Sequence, residues 1–105
     1  MLEFRESSGN VFADLGLPNP EERLAKADLM IIINAEIKRR GLRQAEAAAM
    51  VGLRQPDISN IARGLGISYS MERLLTVLGR LGMEVEITAR RRRNGAGTVV
   101  VRRAV

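Results

Sequence analysis

Apolar side chains recur at helical spacing in four blocks from residue 20 onward, and then, from residue 83, at every second position. The first block, EERLAKADLMIIINAEIKRR, contains the run Leu29-Met30-Ile31-Ile32-Ile33, which taken alone could pass for a buried strand. Its flanks are strong helix formers and its length exceeds that of any ordinary strand, so the pattern predicts one helix from Pro20 to Arg40. Asn19 is expected to cap it, Pro20 suits its first turn, Glu22 is placed for the reciprocal capping bond, and Gly41 ends it. Residues 44 to 51 and 55 to 63 predict two short helices separated by Gly52-Leu53-Arg54. A fourth helix is expected over 71 to 81, capped by Ser70, striped by Leu74, Leu75, Leu78 and Leu81, and stopped by Gly82.

Met83 to Arg90 then alternates apolar and polar without a fault, the sign of a half-buried strand. RRRNGAG is a turn signal, and Thr98 to Arg102 is a second strand candidate. The expected fold class is therefore mainly α, a four- to five-helix bundle with a C-terminal β-strand or hairpin. A chain of 105 residues has room for one domain. Residues 1 to 10 read as a mobile start, 11 to 82 as the helical domain, and 83 to 105 as a strand or hairpin with a basic turn. Val11, Phe12, Leu15 and Leu17 are expected to tuck into the core. A two-stranded hairpin is marginal alone, and an open edge invites pairing across a twofold axis. Met83, Val85 and Ile87 are accordingly candidate dimer contacts, and a homodimer is expected.

Composition narrows the chemistry. With 46% hydrophobic residues but two Phe, one Tyr and no Trp, the core must be aliphatic. The absence of Cys excludes disulfides, thiolate zinc sites and a cysteine nucleophile, and fits a reducing compartment. The absence of His removes serine triads and most metal hydrolases. Glu21, Glu22, Asp28 and Glu36 look like cap and surface charges rather than a catalytic pair. The chain is read as a non-enzyme with no metal and no cofactor. The longest apolar run is far shorter than the roughly 20 residues of a membrane span, and MLEFRE is no signal peptide, so a cytoplasmic, nucleoid-associated protein is expected.

Charge separates along the chain. Residues 1 to 30 carry six acids against three bases, whereas residues 38 to 105 carry fourteen bases against five acids. Fifteen of the seventeen basic residues are Arg, whose planar fork suits phosphate and guanine. This is the electrostatic footprint of a nucleic-acid binder. Unpaired RNA is a poor match, because the chain lacks the interleaved aromatics that stack single-stranded bases.

The stretch LRQAEAAAMVGLRQPDISNIARG, residues 42 to 64, has what two steeply crossed helices need. Ala48 is small where the helices touch, and Gly52 can take the positive φ of a tight reversal. Leu53, Ile58 and Ile61, with Val51, supply the apolar lock. Ala-x3-Gly-x5-Ile-x2-Ile is a helix-turn-helix pattern, opened by Gln44. With Ile58 and Ile61 inward, Asn60 and Arg63 fall on the opposite face and Ser59 flanks it. The amino-terminal end of such a helix enters the major groove, which brings Arg54 and Gln55 within reach of base edges. Arg54 suits guanine, while Asn60 or Gln55 suits adenine. Asp57 either accepts from cytosine N4 or, the expected case, favours the positive helix end and stays out of the groove. Gln44, at the start of the first helix of the pair, is placed for a phosphate contact, Arg63 is expected on phosphate rather than base, and Arg43 and Arg54 add cations at the expected DNA surface.

This stretch resembles the phage-repressor-like, or Xre-type, helix-turn-helix family. The wider segment from Gly9 to Arg90, about four-fifths of the chain, is similar to a subgroup of small regulators and antitoxins of the Hig type. The resemblance implies a helical core with a C-terminal strand, dimerisation, binding of an operator in double-stranded DNA, and often repression of the protein's own operon. In the antitoxin branch it also implies capture of a cognate toxin, a small RNase. Two departures stand out. The family often has Thr or Ser where this chain has Arg43 and Arg54, so both short helices lack the usual side-chain cap, worth about 1 kcal/mol each. Residues 91 to 105 extend beyond the subgroup's usual end.

Overall fold

The computed structural model of the chain describes residues 2 to 3 and 19 to 104. Among these residues four α-helices form: α1 (Pro20–Arg39), α2 (Gln44–Val51), α3 (Gln55–Ala62) and α4 (Met71–Arg80). A 3-10 turn, Gly66–Ser68, links the last two. β1 (Leu2–Glu3) and β2 (Arg102–Arg103) pair antiparallel, with Leu2 opposite Arg103 and Glu3 opposite Arg102. The expected burial of Val11, Phe12, Leu15 and Leu17 lies outside the described residues, as does the mobile start apart from Leu2 and Glu3.

The apolar run that could have been a strand lies in the middle of α1. Leu29, Met30, Ile32 and Ile33 are buried there and Ile31 is exposed, because a helix turns one of any five consecutive side chains away from its packed face. Around Ile33 the core gathers Val51 of α2, Ile58 and Ile61 of α3, and Leu74, Val77 and Leu78 of α4, followed by Leu81. The stripe on α4 thus includes Val77, while Leu75 is only partly buried. Positions 74, 77, 78 and 81 follow the 3.6-residue period more closely than 74, 75, 78 and 81.

One capping expectation is corrected. Asn19 adopts a left-handed backbone, φ 51°, and its side chain makes no capping bond. That backbone turns the side chain away from the free N–H groups of the first turn. Its carbonyl still accepts from the Arg23 N–H at 3.0 Å, and Glu22 pairs with Lys26 at 3.3 Å instead of reaching back to the cap. Ser70 behaves as expected, its Oγ accepting from the Arg73 N–H at 3.0 Å.

Of the expected C-terminal strand or hairpin, a strand forms but not a local hairpin. Residues 83 to 90 and 98 to 101 join no ladder among the described residues, and the C-terminal strand is Arg102–Arg103, paired with the amino terminus. The alternation nevertheless persists. Glu84, Glu86, Thr88 and Arg90 from one segment, and Thr98, Val100, Arg102 and Ala104 from the other, line one groove of about 840 Å³ together with Arg91, Arg92 and Gly97 of the turn. Met83 and Val101, of opposite parity, pack against the helical core. Among the described residues no helix is long and apolar enough to cross a membrane.

Candidate nucleic-acid interface

The geometry of α2 and α3 follows from three small residues and a turn. Ala47 and Ala48 are both buried where α2 meets the core, so Ala47 joins Ala48 as a close-approach position. Gly52 takes φ 72°, and its N–H and that of Leu53 both close on the Ala48 carbonyl, the latter at 3.0 Å. Leu53 packs, partly buried, against the core, while Ile58 and Ile61 are fully buried beneath α3. Of the five residues read from the sequence as the lock of the motif, Ala48, Ile58 and Ile61 are buried, Leu53 is partly buried against the core, and Gly52 forms the turn.

The missing Thr or Ser caps are half replaced. Arginine carries no acceptor, so neither Arg43 nor Arg54 receives an N–H bond at its helix start. Instead the third helical residue reaches back: Glu46 Oε1 accepts from the Arg43 N–H at 2.8 Å, and Asp57 Oδ2 from the Arg54 N–H at 3.4 Å. Hydrogen bonding from the Arg43 N–H, aided by its guanidinium, lowers the Glu46 pKa. The arginine side chains therefore stand outward, and both residues are exposed.

Tertiary contacts turn the Asp57 carboxylate into the fold. It is 8% exposed and accepts from the Tyr69 hydroxyl at 2.6 Å, with Arg73 Nη2 3.6 Å away. The Tyr69 hydrogen bond is the chief cause that lowers the Asp57 pKa, against the opposing effect of burial. Tyr69 is pushed up in turn, by burial first and then by the carboxylate. The Arg73 guanidinium lies over the Tyr69 ring, 4.6 Å from its centroid. At the other end of α3, Asn34 Nδ2 of α1 donates to the Ile61 carbonyl at 3.0 Å. At the turn itself, Arg80 Nη1 of α4 donates to the Val51 carbonyl at 2.8 Å. These four residues, Asn34, Tyr69, Arg73 and Arg80, had no local signal in the sequence, because each acts across a long chain separation.

With its underside and both ends held, α3 offers an open face. Gln44, Gln55, Ser59, Asn60 and Arg63 surround one shallow concavity of about 400 Å³, together with Pro56. Five of the seven residues expected to face DNA thus share one site, and Arg43 and Arg54 stand exposed at the starts of α2 and α3. Within it, Asn60 Oδ1 accepts from Arg63 Nη2 at 3.1 Å, so these two side chains present themselves as a unit. Ser59 and Asn60 are half-buried, and Gln44, Gln55 and Arg63 are exposed. Asp57, the acid in the first turn of α3, is turned inward, leaving cations and amides outermost on that helix.

Two helices crossed through a glycine turn, the second held from behind and polar in front, define a helix-turn-helix domain. Residues 11 to 90 match the family described as "Helix-turn-helix domain". A comparison with curated proteins gives no match. A solved structure bearing the name of an XRE family transcriptional regulator is similar at 39% identity and TM-score 0.77, over 83% of this chain and 100% of the other. The chain belongs to the Xre-type helix-turn-helix family.

Proposed function

We propose that the protein is a sequence-specific DNA-binding transcriptional regulator, acting as a twofold dimer on an inverted repeat and repressing its own promoter. The observation that carries this reading is the single concavity framed by Gln44, Gln55, Ser59, Asn60 and Arg63 on an α3 fixed at both ends. The 39% identical structure named for transcriptional regulation adds support. In this reading α3 lies in the major groove with Arg54 and Gln55 leading, and half-sites stand about 34 Å apart, one turn of duplex. Gln55, Ser59 and the Asn60–Arg63 pair read base edges, while Arg43 and Gln44 grip phosphate.

The test is a gel shift at physiological salt on the fragment upstream of the gene, against scrambled DNA of the same length. Strong preference for the upstream fragment is expected, and equal affinity for both refutes the operator reading. Asn60→Ala should relax base preference by about 1 to 3 kcal/mol at one position per half-site. Gln44→Ala should weaken all sequences alike. Unchanged specific binding in both variants places the recognition surface elsewhere.

A further inference from the structure

The net positive charge of this chain lies outside its helical domain. Through Ala89 the chain carries eleven bases against twelve acids, and from Arg90 to Val105 it carries six arginines and no acid. On the helices, moreover, many cations are already matched: Arg39 and Arg40 pair with Glu36, Arg43 with Glu46, and Arg54 and Arg73 with Asp57. Arg90 to Arg93 are different. All four are exposed, and although Glu84 and Glu86 line the same groove as Arg90, Arg91 and Arg92, no ion pair joins them among the described residues. The segment that bears these arginines leaves the core at Met83 and turns through Gly95 at φ 68°. It is tied down again by Val101 on the core and by Arg102–Arg103 against Leu2–Glu3. A basic tip anchored on both sides gives up less freedom on meeting a ligand than a free tail does.

We propose that the turn from Arg90 to Arg93 is a second DNA contact, gripping the phosphate backbone of the duplex beside the bases that α3 reads. A body whose acids outnumber its bases by one has no overall attraction for a polyanion, so the attraction must come from the arginine tip. A duplex bears one negative charge per roughly 1.7 Å of its axis, a density that four adjacent guanidinium groups match. Each guanidinium fork bonds phosphate oxygens without reading the base. Other anionic surfaces fit less well. The tip from Arg90 to Gly97 has no aromatic ring to stack an unpaired RNA base and no bulky apolar side chain to enter a membrane surface. The contact rests on the DNA-binding reading above, and it adds affinity rather than sequence preference.

The test is fluorescence anisotropy of the full chain on the upstream fragment and on scrambled duplex, from about 0.05 to about 0.3 M salt. Replacing Arg91→Gln, Arg92→Gln and Arg93→Gln together should flatten the slope of log affinity against log salt by about 2 to 3, since each lost phosphate contact removes about 0.9. At about 0.15 M salt this is a loss of roughly thirtyfold or more on both duplexes, with their affinity ratio unchanged. Arg91→Lys, Arg92→Lys and Arg93→Lys together should keep nearly the native slope, because an ammonium also neutralises phosphate. An unchanged slope, an altered ratio, or lysines that behave like glutamines each overturns the proposal. So does a larger effect of the glutamine exchange on single-stranded RNA or on phosphatidylserine vesicles than on duplex. A native preference for the upstream fragment with no effect of the exchange removes the arginine contact and keeps the operator reading. A chain without that preference, whose slope still flattens in the variant, keeps the contact and removes the operator.

Discussion

Replacing Gly52 by alanine tests how the turn of the motif is held. Gly52 sits at φ 72°, where a side chain costs about 1 to 2 kcal/mol. The added Cβ would also stand 2.5 Å from Arg80 Nη1, the atom that donates to the Val51 carbonyl at 2.8 Å. Arg80 can swing away, but the swing breaks that bond. Because the arginine is exposed, its hydrogen bond is worth about 1 kcal/mol, the middle of the usual net range. Gly52→Ala should therefore cost about 2 to 3 kcal/mol in the native background. In an Arg80→Met background, where the bond is already gone, it should cost only about 1 to 2 kcal/mol. The assay is urea unfolding followed by helical circular dichroism for the four proteins of the cycle, suited to a single domain of this size. The expected coupling is about 1 kcal/mol. Additivity within about 0.3 kcal/mol refutes the assignment of Arg80 as the clamp on the turn.

Two other variants probe charge in the fold. Tyr69→Phe removes the 2.6 Å hydrogen bond to Asp57 while keeping the ring beneath Arg73. The melting temperature should fall by several degrees near neutral pH, roughly the effect of one lost hydrogen bond in a domain of this size. Since Asp57 has a lowered folded pKa, its contribution is present above the ordinary carboxylate range and lost as pH falls through the folded value. The deficit of Tyr69→Phe should accordingly shrink in acid, and a deficit constant with pH contradicts the pairing. Glu36, bonded to Arg39 at 2.6 Å and to Arg40 at 3.0 Å, is lowered to about 2, chiefly by Arg39. Its stabilisation is complete above about 4.5 and disappears as pH falls toward 2, so thermal melts of Glu36→Gln and the native chain should converge over that window.

The helices and the motif were legible because local physics decides them. Periodicity marked α1 to α4 within a residue or two of their observed ends, and Ala48, Gly52, Ile58 and Ile61 satisfy steric requirements that hold wherever two such helices cross. Asp57 was legible in part: a carboxylate in the first turn favours the helix dipole, whereas its burial against Tyr69 and Arg73 is a tertiary contact. The cap at Asn19 was misread because Asn serves both as a cap and as a left-handed residue, and sequence does not say which.

What the sequence determined by itself is the set of faces: the apolar stripe of each helix, the polar front of α3, and the two-residue alternation from Met83 to Arg90. These depend on the order of residues along a regular backbone. Only the tertiary structure decided which partners meet those faces. Tyr69, Arg73 and Asn34 anchor α3, Arg80 grips the turn at Val51, and Arg102–Arg103 pairs with Leu2–Glu3 rather than completing a local hairpin. Each of these contacts joins residues far apart in the chain, where periodicity carries no information and only the three-dimensional path of the backbone brings donor to acceptor.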